Sequence, residues 1–61
     1  MKIKEFYESM KTIFQENIII IKDGEILWEG YINEQRIYEY LMECEIVKIY
    51  CIDNGLSLVI K

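Results

Sequence analysis

The residue pattern predicts an α+β fold of order helix–hairpin–helix–hairpin (αββαββ), with a four-stranded, mainly antiparallel sheet and two helices packed on one of its faces. Three observations predict it. Asp23-Gly24 and Asn54-Gly55 are strong two-residue turn signals, because a type I′ hairpin turn needs positive φ at both positions. The residues flanking each pair are rich in isoleucine, valine and leucine at strand spacing. Two other segments, 3–14 and "INEQRIYEYLMEC", place apolar residues at helical spacing instead.

In the first segment Ile3, Phe6, Tyr7, Met10, Ile13 and Phe14 share one face of a helix, with Lys4, Glu8, Lys11 and Gln15 opposite. Glu16-Asn17 ends it. "NIIIIKDGEILWEGYI" follows as a hairpin. Alternation in its second strand puts Ile26, Trp28, Gly30 and Ile32 on one face and Glu25, Leu27, Glu29 and Tyr31 on the other. The first set is apolar apart from its glycine, so Trp28 is expected in the core. Gly30 is expected to let a ring or helix come close to the backbone.

The second helix is expected to start at Asn33 as N-cap and to bury Ile37, Tyr40, Leu41 and Cys44, with Ile32 and Ile37 as a hydrophobic staple. A turn at Asn54-Gly55 then pairs Asp53 with Leu56 and Cys51 with Leu58. The expected core face collects Val47, Ile49, Cys51, Leu56, Leu58 and Ile60, and the other face Lys48, Tyr50, Ile52, Ser57, Val59 and Lys61. An internal match at an offset of 31 links "FYESM" to "IYEYL" and Leu27 to Leu58. Alternation assigns those two leucines opposite environments, which argues against a true repeat.

Composition narrows the function. At 61 residues the chain is one domain, and a chain of this size buries only about 60% of its unfolded surface. It is 52% hydrophobic, too apolar for a disordered chain. The net charge is −4 and the seven basic residues are scattered, which disfavours direct nucleic-acid binding. "MKIKEFYESMK" has no uninterrupted apolar run of signal-peptide type, and no segment approaches the length of a membrane span, so a cytoplasmic location is expected.

There is no histidine, hence no Ser-His or Cys-His nucleophile. Cys44 and Cys51 fit no zinc spacing and are expected as buried free thiols. No catalytic residue, cofactor or metal is expected, and the chain is read as non-enzymatic.

The sheet face opposite the helices is the expected site. A sheet covered on one side should be polar on the other. Here Leu27, Tyr31, Tyr50, Ile52 and Val59 fall on it, so they are the candidate interface. The expected use is protein–protein contact as a homodimer, formed by burying this face or by pairing edge strands.

In size, acidity and residue bias the chain resembles small accessory proteins of phages and mobile elements in low-GC bacteria. That resemblance implies an inhibitor of a host defence protein. Glu34, Glu39 and Glu43 on the second helix are a candidate acidic surface, the one feature that would suit DNA mimicry. Two other classes fit the same composition. One is a small-molecule sensor with a pocket at a dimer interface formed by Trp28 and the tyrosines. The other is a structural subunit that adds strands to a larger assembly.

Overall fold

The computed structural model describes residues 1–61. Its elements are α1 (Ile3–Met10), β1 (Asn17–Lys22), β2 (Glu25–Gly30), β3 (Ile46–Ile52) and β4 (Gly55–Ile60), with one 3₁₀ turn at Glu39–Leu41 before β3. The strands form one sheet in the order β2-β1-β4-β3. Each hairpin is antiparallel, but the two central strands, β1 and β4, run parallel.

Helix α1 buries Ile3, Phe6 and Tyr7 against the sheet. Its free first-turn amides are satisfied from far along the chain: Ile3 N donates to Cys44 O and Lys4 N to Met42 O, both at 2.9 Å. The Glu5 carboxylate accepts from Lys2 N at 2.7 Å, the acidic half of a capping box. The helix stops short of the predicted residue 14, and Ile13 is exposed while Met10 and Phe14 pack loosely on the core. Thr12 and Ile13 are β-branched and weak helix formers, and the chain must turn there to enter β1.

Asp23 and Gly24 form the predicted turn, with φ of 51° and 78°. The strand after it departs from simple alternation. Ile20 pairs with Trp28 but Ile21 pairs with Ile26, so Leu27 is an extra residue in a β-bulge. Trp28 still points inward and is 6% exposed, as expected. Ile26 does not: the bulge turns it to the opposite face with Ile21.

The second hairpin turns one position earlier than predicted. Ile52 pairs with Gly55 and Cys51 with Leu56, around Asp53-Asn54, and neither Asn54 nor Gly55 has a positive φ. This shifts the register by two residues, which preserves the face assignments from Lys48 to Ile60. Gly55 serves another purpose. It lies opposite Asn17 in the β1–β4 ladder, and a Cβ there would overlap the Asn17 carbonyl oxygen and lie 2.6 Å from its carbon. A second bulge leaves Val47 extra on β3.

Two predicted features are corrected. The sheet is mixed, and there is one helix instead of two. Residues 31–45 form a turn, an extended stretch and the 3₁₀ turn. They carry the chain from the end of one edge strand to the start of the other. Ile32, Ile37, Leu41 and Met42 in this segment are all buried. They reach the core from turn, extended and 3₁₀ backbone instead of from one helix face. Tyr40, expected inward, is exposed.

The offset-31 match does not survive either. "FYESM" is α-helical and "IYEYL" is not, while Leu27 sits in an edge-strand bulge and Leu58 is fully buried on a central strand.

The core is one cluster between α1, the 31–45 connection and the inner sides of β2, β1 and β4. All of the covering chain lies on one side of the sheet. No helix is long and apolar enough to cross a membrane.

Candidate interaction surface

The strand registers define the uncovered face as rows running across all four strands. One row is Ile26, Ile21, Val59 and Lys48. The next is Glu29, Ile19, Ser57 and Tyr50, and the third is Asn17, Gly55 and Ile52. Ile26 is 54% exposed and Tyr50 49%, while Ile19, Ile21, Ile52 and Val59 are half-buried by their neighbours alone. The face is therefore apolar at Ile26, Ile21, Ile19 and Val59, with the small polar Ser57 and Asn17 beside them on the central strands, Glu29 on one edge strand and Lys48 on the other.

Tyr50, Ile52 and Val59 from the sequence-derived interface come together here. Tyr31 is half exposed just beyond the end of β2. Leu27 does not join them. The bulge turns it toward the core, where it is half-buried against the cluster. Ile26 takes its place on the open face, and sequence reasoning missed it because a bulge leaves no mark in a short apolar run. Trp28 lies in the core, so it cannot line an accessible pocket on this chain.

Strand β3 is exposed on both sides. Val47, Ile49 and Cys51, expected in the core, are open to solvent, Ile49 at 47%. Ile49 and Cys51 do lie on the core side of the sheet, opposite Leu58 and Leu56. They are bare because the helix expected to cover that edge does not form. Cys51 is consequently an exposed thiol, and Cys44 a half-buried one.

The helix face expected to carry Glu34, Glu39 and Glu43 does not form, and all three lie exposed on the 31–45 connection. Glu43 is clamped by Lys4 Nζ at 2.8 Å and Lys2 Nζ at 2.9 Å. Hydrogen bonds from Lys4 and then Lys2, reinforced by their charges, hold its carboxyl down at about 2. Glu39 pairs with Arg36 at 3.1 Å. The Arg36 guanidinium also lies over the Tyr7 ring at 5.4 Å, which ties the connection to α1. No three Cys, Asp or Glu side chains converge as a metal-ligand set.

No protein-family model, curated protein or solved structure matches this chain.

Proposed function

We propose that this protein is a non-enzymatic interaction module, working as a homodimer, that acts by covering the surface of another protein with its open sheet face. The observation that supports this is the apolar row Ile26–Ile21–Val59 on the uncovered side of the sheet. A face in permanent contact with water is normally polar, and a contiguous apolar patch marks a contact surface. The resemblance to accessory proteins of phages and mobile elements makes a host defence protein the specific target under this reading.

The test is a binding comparison. Wild type and an Ile21→Lys/Ile26→Glu variant are immobilised and exposed to extract of the source cell. The new charges face each other across the β1–β2 ladder, so they support strand pairing while removing the apolar row. Circular dichroism first establishes that the variant is folded. A protein retained by wild type and released by the variant supports the reading. Equal retention by both removes the face from it.

A further inference from the structure

The two edges of the sheet are built differently. β2 carries its bulge in mid-strand at Leu27, bears Glu25 and Glu29, and has the Gln35 side chain over Gly30. Bulges and charges of this kind block strand addition. β3 has its bulge near its start, at Val47, which leaves Lys48–Ile52 regular. Lys48 is the one charge in that stretch, and the strand is apolar and exposed on both sides.

The outward hydrogen-bonding groups of β3 follow from its turn. Ile52 and Gly55 close a two-residue loop and exchange both backbone bonds, as do Tyr50–Ser57 and Lys48–Val59 by alternation. The N–H and C=O groups of Ile49 and Cys51 therefore point away from the sheet. These two residues lie symmetrically about Tyr50.

We infer that β3 is the seam of the homodimer, pairing antiparallel with β3 of a second copy about a two-fold axis through Tyr50. Ile49 of each copy then exchanges both backbone bonds with Cys51 of the other. Tyr50 meets its own copy directly across a non-hydrogen-bonded position, where aromatic side chains contact best. The bare Ile49, Cys51 and Leu56 strips of the two copies meet on the helix side, replacing the cover that the missing second helix would have supplied.

The register also suits two identical strands, because Lys48 of each copy lies opposite Ile52 of the other and the one charge of the stretch meets no like charge. Four strands about 4.8 Å apart and six residues at about 3.3 Å give each copy an open face of about 400 Å². Joined through β3, the two sheets become one of eight strands, with about 800 Å² of continuous face left free for a target. The inference rests on the proposed role of that face, but its own tests concern the dimer alone.

Sedimentation equilibrium from micromolar to millimolar concentration is expected to show a dimer for wild type and for Ile21→Lys/Ile26→Glu. Ile49→Lys, a charge on an already exposed edge position, is expected to weaken it by about tenfold or more. The geometry is read by cross-linking in a Cys51→Ser background. Tyr50→Cys places two thiols about 4.5 Å apart by Cα, within disulfide range, and is expected to oxidise to a covalent dimer. Lys48→Cys, two residues off the axis, is expected not to. A monomer at all concentrations, a dimer lost in the face variant but kept in Ile49→Lys, or faster cross-linking at position 48 than at 50 would each overturn the inference. A β3 dimer that captures no target leaves the seam standing and removes the proposed function.

Discussion

Replacing Gly55 with alanine isolates one contact on which the mixed sheet depends. A Cβ at this position overlaps the Asn17 carbonyl oxygen and comes within 2.6 Å of its carbon and 2.8 Å of its nitrogen. All three obstacles are backbone, so no rotamer change relieves them. The Gly55 backbone lies outside the positive-φ region, so the whole effect is steric. Relief requires β1 and β4 to separate, and Asn17 N must then leave Asn54 O, now 2.9 Å away.

Overpacking of this kind costs about 1–3 kcal/mol and occasionally more, and immovable backbone puts it at about 3. A domain of this size has a stability of about 3–9 kcal/mol, so the loss is at least a third of it. With a urea slope of about 1 kcal/mol/M for so small a protein, the unfolding midpoint should fall by roughly 3 M.

Gly24→Ala and Gly30→Ala serve as controls. Gly24 has φ of +78° but open space around it, so alanine there is strained by only about 1 kcal/mol. At Gly30 the obstacles are the Gln35 side-chain tip and the Trp28 ring at 3.2 Å, and the first can move aside. If Gly55→Ala unfolds within roughly 0.5 M of wild type, the close β1–β4 approach at Asn17 is wrong.

Three further outcomes follow from the same geometry. Leu27→Glu should destabilise by about 2 kcal/mol in urea unfolding because the bulge turns Leu27 toward the core, whereas Ile26→Glu on the open face should change stability by less than about 1 kcal/mol; equal effects would remove the bulge. The depressed Glu43 carboxyl stabilises the fold above its ordinary value of 4.5, and this contribution is lost as pH falls toward about 2. Glu43→Gln should therefore flatten the fall in melting temperature between those limits; an unchanged acid limb would contradict the Lys2–Glu43–Lys4 clamp. In the Ile49→Lys variant diluted to a monomer, Cys51 should react with a maleimide faster than Cys44, as mass spectrometry of the labelled peptides would show; the reverse order would mean that the helix side of β3 is covered within the single chain.

Local chemistry accounts for what was legible in the residues. Asp23-Gly24 specified its turn because the positive φ it needs is a property of two adjacent residues. The first helix was visible because Ile3, Phe6 and Tyr7 lie within one turn of each other. The buried positions Ile37 and Leu41 were found although the helix predicted around them does not exist, since burial follows side-chain chemistry whatever the backbone does. The candidate site was partly legible for the same reason. Tyr50, Ile52 and Val59 reach the open face through alternation alone, which a two-residue register change cannot alter. Leu27 and Ile26 exchanged roles because a bulge depends on how β1 and β2 twist together.

By itself, then, the amino-acid order determined which residues are apolar enough to be buried and where the first hairpin turns. Only the tertiary structure decided that β1 and β4 lie side by side in parallel, that residues 31–45 cross the core without a helix, and that β3 is left as a bare edge. Asn17 and Gly55 are separated by most of the chain, so no local pattern announces their contact. Once formed, that contact sets the strand order, and the strand order decides which apolar side chains are covered and which face solvent.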